Sequence, residues 1–90
     1  MIRCTEYKIE IGPKASKALE KLPEEISLLV IEKIEALKYN PRPHGYKKLQ
    51  GMGKELYRVR SGKYRIVYKV YDNILLIMVV RVEHRKDVYR

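Results

Sequence analysis

The stretch Tyr57-Arg58-Val59-Arg60-Ser61-Gly62-Lys63-Tyr64-Arg65-Ile66-Val67-Tyr68-Lys69-Val70-Tyr71 (YRVRSGKYRIVYKVY, 57–71) decides the fold. Its side chains alternate with period two on both sides of Ser61-Gly62-Lys63, which predicts two strands joined by a tight turn. Tyr57 and Val59 then share one face of the first arm, with Arg58 and Arg60 on the other. In the second arm Tyr64, Ile66, Tyr68 and Val70 oppose Arg65, Val67, Lys69 and Tyr71. The two-residue loop fits as Ser61-Gly62 or as Gly62-Lys63, and either register sets Arg65 opposite another arginine, Arg58 or Arg60. Like charges facing each other across a ladder destabilise it by a fraction of a kcal/mol, and no acid within the hairpin relieves them. A lone arginine in such a place reads as solvated surface. Arg58, Arg60, Arg65 and Lys69 on one face read as a surface that binds an anion.

Charge along the rest of the chain points the same way. Residues 1–45 hold eight Lys/Arg against seven Asp/Glu, whereas residues 46–90 hold twelve against four. Nearly all of the net charge of +9 therefore belongs to the half that carries the hairpin, and an acidic partner is implied, most simply nucleic acid. Ninety residues make one domain, 1–90, able to bury somewhat over about 60% of the surface that its unfolded chain exposes. The aromatic residues are eight Tyr with no Phe or Trp; a tyrosine sits at a core edge with its hydroxyl outward, or stacks on a base. Cys4 is alone and no Cys/His cluster has zinc spacing, so neither a disulfide nor a cofactor is expected. The amino terminus has no signal pattern, and the longest apolar run, Ile74 to Val80, is far short of the roughly 20 residues that span a bilayer. A soluble cytoplasmic protein with no membrane partner is the expectation.

Thr5, Tyr7, Ile9 and Ile11 alternate with charged residues, a half-buried strand that Gly12-Pro13 ends. Pro13 suits a first helical position, and Ala15, Ala18, Leu19 and Leu22 follow at helical spacing. Pro23 closes that helix and opens a second, to about Lys38, with Glu24 and Glu25 in its first turn and a wide stripe formed by Ile26, Leu28, Leu29, Val30, Ile31, Ile34 and Leu37. Asn40-Pro41-Arg42-Pro43 begins a basic loop that runs to Gly53 and carries His44, Lys47 and Lys48 beside the hairpin. Asp72-Asn73 turns the chain into Ile74–Val82, an interior strand. A two-residue loop there aims Val80, Val82 and His84 at the Arg65 face, and a three-residue loop aims Arg81, Glu83 and Arg85 there. The whole is an α+β, β-α-α-β-β-β sandwich: a mainly antiparallel four-stranded sheet with a helical hairpin on one face and a basic, open face on the other.

No phosphate-binding glycine loop, HExxH, nucleophile elbow or paired carboxylates are present, so nucleotide hydrolysis, zinc proteolysis and glycoside hydrolysis have no support. RNA cleavage stays open because the substrate brings its own nucleophile. The ribose 2′-OH attacks the neighbouring phosphate once a base takes its proton, and cations hold the charge that develops. Cations are plentiful here and the base is the scarce part. His84 is the candidate by intrinsic pKa, although its parity also fits a place against the helices.

The combination of KLQGM, YRVRSGKYRIVYKV and VEHRKDVYR behind a helical hairpin resembles the RelE toxins of the RelE/ParE superfamily, across essentially the whole chain. The resemblance implies a toxin of a type II toxin–antitoxin system, an mRNA interferase that enters the ribosomal A site, cuts mRNA and inhibits translation, and is neutralised by a RelB-like antitoxin. It implies that Arg65 binds phosphate, that Arg58 and Arg85 are basic residues of the catalytic site, and that Tyr89 contacts the substrate base. Arg60, Lys47, Lys48, Lys69 and Arg81 are the expected substrate contacts. Where some members carry a lysine two positions before Arg58, this chain has Leu56. A ParE-like inhibitor of DNA gyrase and a non-catalytic RNA-binding module are the competing expectations.

Overall fold

Gly12 and Pro13 break one element and start the next without a connecting loop. The computed structural model describes residues 6–49 and 56–84. Strand β1 (Lys8–Ile11) leads through Gly12 into helix α1 (Pro13–Lys21), and Pro23 separates it from helix α2 (Glu24–Ala36). Strands β2 (Lys47–Leu49), β3 (Leu56–Ser61), β4 (Tyr64–Tyr71) and β5 (Leu76–His84) follow. They form one sheet in the order β1-β5-β4-β3-β2, with β1 parallel to β5 and the other neighbours antiparallel. The α+β sandwich expected from the sequence is present, with five strands rather than four. The added strand, β2, lies in the segment read as loop; three residues, two of them exposed lysines, are too short to show alternation.

The hairpin takes the register with Gly62-Lys63 as its loop, because Ser61 pairs with Tyr64 and Arg60 with Arg65. Gly62 has φ +61°, a conformation that L side chains avoid, so glycine at this place fixes the turn and through it the face of every arginine that follows. The β4–β5 connection is longer than either length foreseen. Tyr71 pairs with Leu76, and a 3₁₀ turn at Asp72–Ile74 ends on Leu75 in the left-handed region at φ 52°. A bulge then shifts the register between Val67 and Tyr68: Tyr68 pairs with Val79 but Val67 with Arg81, which leaves Val80 unpaired. Below the bulge Ile77 and Val79 point to the helices; above it Val82 does.

The core lies between the helices and one sheet face. Ala15 and Leu19 of α1, Val30 and Ile34 of α2, and Leu37 at its end meet Tyr57, Val59, Ile66, Tyr68, Ile77, Val79 and Val82. The stripe of α2 is narrower than its sequence suggested, since Leu28 and Leu29 are each 59% exposed. They border a shallow apolar groove with Ile31, rimmed by Glu25, Glu32 and Glu35. No described helix is long and apolar enough to cross a membrane.

Tyrosines close one end of this core more deeply than a core-edge role implies. Tyr68 is fully buried and its hydroxyl donates to the Pro41 carbonyl at 2.7 Å, while Tyr57 lies between the rings of Tyr46 and Tyr68. The Arg42 guanidinium sits over the Tyr57 ring, 5.2 Å from its centroid, and reaches Asp72 at 2.8 Å. Tyr7 donates to the same carboxylate at 2.7 Å. Chain segments distant in sequence, at Tyr7, Arg42, Tyr57 and Asp72, are thus tied together.

Candidate active site on the basic sheet face

Alternation along the strands decides what stands on the sheet face away from the helices. From β3 come Leu56, Arg58 and Arg60; from β4 come Arg65, Val67, Lys69 and Tyr71; from the end of β5 come Arg81 and Glu83. Lys47 of β2 joins them, because it pairs with Arg58. The structure therefore gathers Arg58, Arg60, Arg65, Lys69, Arg81 and Lys47 on one surface. Arg60 and Arg65 face each other directly. Among the described residues no acid stands within ion-pair distance of Arg60, Lys69 or Lys47.

Arg65 differs. Glu83 lies opposite it on β5 and accepts from its Nε at 3.3 Å, while the second carboxylate oxygen of Glu83 is 3.4 Å from the Arg81 guanidinium. The hairpin contains no acid, as its sequence shows, and the acid beside Arg65 comes from the neighbouring strand, on the face that one of the two expected loop lengths gave to Glu83. The pair is mostly enclosed, with about a fifth of each side chain accessible. The face is also less open than expected at its centre: Val67 is fully buried although it lies outside the helix-side core.

Two residues assigned to the site fall elsewhere. His84 pairs with Tyr64 in the ladder and meets its ring edge-to-face with centroids 5.0 Å apart, on the helix side of the sheet. The parity change at the bulge puts it there, away from Arg65, so it does not stand with the arginines as a base. Lys48 pairs with Tyr57 and shares that side, since neighbours on a strand point to opposite faces. Arg85 and Tyr89, and the KLQGM segment beyond Leu49, lie outside the described residues.

Sequence reasoning offered Glu83 on the Arg65 face as one of two loop lengths without naming it as the partner of Arg65, and it missed the pair Arg42–Asp72. Arg42 looked like one more cation of a loop, yet it braces the end of the core. Hydrogen bonds from Arg42 and then from Tyr7 hold the Asp72 carboxyl below the usual carboxylate range. Its acceptance of the Tyr7 hydroxyl pushes that phenol up, and burial pushes the Tyr68 phenol up as well. These groups are tied into structure and are remote in role from the arginine face. A row of guanidiniums on a rigid sheet can hold a polyanion at several points and can fork onto two oxygens of one phosphate.

Comparisons with known proteins agree on the type of fold. Residues 9–89 match the family model of the ParE toxin of type II toxin–antitoxin systems, parDE. The chain is 34% identical over 88 residues to a candidate toxin, RelE1, of Methanocaldococcus jannaschii, covering 94% of this chain and 97% of that protein. The archaeal RelE–RelB complex from Pyrococcus horikoshii OT3 contains a chain that superposes with a TM-score of 0.78 at 32% identity, covering 89% of this chain and 96% of that one. A chain of the toxin–antitoxin complex RelBE2 from Mycobacterium tuberculosis gives 0.81 at 27% identity, covering 92% and 95%.

Proposed function

The chain belongs to the ParE toxin family of type II toxin–antitoxin systems, as a RelE-type toxin of the RelE/ParE superfamily, and from that premise we propose that it is a ribosome-dependent endoribonuclease that cuts mRNA in the A site. The observation that carries this reading is the arginine face: Arg58, Arg60, Arg65 and Arg81 share one surface, with Arg60 and Arg65 directly opposed. Such an arrangement costs stability in the free protein and favours a bound polyanion.

In this mechanism the ribose 2′-OH attacks the adjacent phosphorus, the 5′-oxygen leaves, and no metal is required. Arg65 forks onto the non-bridging oxygens and stabilises the charge that develops on them, with Arg58 beside it. Arg60, Lys47, Lys69 and Arg81 hold flanking phosphates. By resemblance Arg85 is a second cation of the reaction and Tyr89 stacks on the substrate base. The ribosome would hold the 2′-OH in line with the leaving oxygen, a contribution of several kcal/mol when the alignment is good.

A RelB-like antitoxin is the proposed partner, supported by the RelE–RelB complex among the structural relatives. A gyrase-inhibiting role is the second reading, because the matching family model is that of ParE. Mapping of mRNA 5′ ends after induction, beside a gyrase supercoiling assay, separates the two. New ends within translated codons support cleavage. Loss of supercoiling with intact mRNA would replace it by gyrase inhibition.

A further inference from the structure

We propose that Glu83 is the general base of the cleavage reaction, a role that rests on the endoribonuclease reading. The placement of the carboxylate carries the inference. Glu83 sits directly across the ladder from Arg65, 3.3 Å from its guanidinium, and its other oxygen is 3.4 Å from Arg81. Among the described residues it is the acid that stands within ion-pair distance of both Arg65 and Arg81. His84, the other titratable candidate nearby, is on the far side of the sheet against Tyr64.

A phosphate that forks onto Arg65 arrives beside this carboxylate, because one guanidinium touches both. The phosphate then takes the place of one or both Glu83 oxygens on the guanidiniums. An oxygen so released stands beside the bound phosphate, where the ribose bearing the attacking hydroxyl is attached. In the step itself Glu83 accepts the 2′-OH proton as the 2′-oxygen forms its bond to phosphorus. The P–O5′ bond breaks, its electron pair leaves with the 5′-oxygen, and that oxygen takes a proton from water. The products are a 2′,3′-cyclic phosphate and a 5′-hydroxyl, and the carboxylic acid returns its proton to solvent. The charged groups facing Glu83 are Arg65 from β4 and Arg81 from its own strand, with Arg60 of β3 beyond Arg65.

The test is single-turnover cleavage of mRNA on purified ribosomes across a pH series. Parental protein, Glu83→Gln, Glu83→Asp and Glu83→Ala are compared, with thermal unfolding and ribosome binding measured for each. Glu83→Gln keeps an acceptor for Arg65 but cannot take a proton, so the rate should fall about 10²- to 10⁴-fold and lose its acidic limb, while binding is retained. Glu83→Asp should keep the limb at a lower rate, and formate should partly restore cutting by Glu83→Ala, which identifies a missing base and not a missing brace. Should Glu83→Gln fail to fold, the limb in Glu83→Asp and the formate response decide. Near-parental cleavage by Glu83→Gln, an unchanged pH profile, or no formate rescue overturns the proposal alone. Parental protein that leaves ribosome-bound mRNA intact overturns the endoribonuclease reading and this inference together.

Discussion

Arg65 has neighbours of opposite sign, Arg60 on one side and Glu83 on the other, and the two oppose each other in their effect on stability. Arg65→Ala removes a repulsion and an ion pair at once, and each is worth about 1 kcal/mol or less. We therefore expect a melting temperature within a few degrees of the parent. Cleavage should fall about 10²- to 10³-fold, since one contact to the charged transition state is lost. Arg65→Lys should recover part of the rate because the charge stays and the fork does not. Near-parental cutting by Arg65→Ala would assign the residue to the scaffold. A second residue-scale test concerns Asp72, whose carboxyl is held below its ordinary range by Arg42 and Tyr7. A depressed carboxyl stabilises the fold above its unfolded value of about 3.9, and that contribution disappears as pH falls through the folded value. Thermal unfolding of Asp72→Asn should thus differ from the parent near neutrality and converge with it in acid. Curves separated by the same interval at every pH would show that the ion pair adds nothing.

Among the elements, the hairpin turn is the place where one atom changes most. Ala at position 62 would have to adopt the left-handed conformation, so Gly62→Ala should cost about 1 kcal/mol in chemical denaturation. A neutral result would mean that the turn relaxes to another type. The hairpin was legible because two arms of strict alternation flank a Gly-containing turn, and α1 and α2 because Pro13 and Pro23 mark their starts. What stayed hidden has physical causes. β2 is too short for a period to show, and it exists because β3 offers an edge to pair with. The bulge at Val80 leaves no mark in an apolar run where every residue is compatible with either face, yet it sends Glu83 to the arginines and His84 away from them. Leu28 and Leu29 continue the apolar pattern of α2 but lie past the edge of what the sheet covers.

The whole molecule has two unlike surfaces, a cationic sheet and an acid-rimmed helix, so its association with a polyanion should respond strongly to salt. Each phosphate contact displaces counterions, and ribosome affinity is expected to fall about tenfold or more between about 50 and 200 mM salt. A flat response would exclude the arginine face as the contact. A RelB-like segment that covers this face should raise the melting temperature on co-expression and protect the cell, because anything that binds only the native state stabilises it. No shift with the product of the adjacent gene would argue against that partner. The parallel pairing of β1 with β5 has one more effect, and it concerns time. Of the described strands, the first made can enter the sheet only after the last has been synthesised, since Lys8 to Ile11 pair with Leu76 to Val79. Contacts so distant in sequence form late and slowly, and Arg81 and Glu83 of β5 emerge last of the described arginine face. A growing chain therefore lacks Arg81 and Glu83, and with them one edge of the arginine face, until β5 has been made.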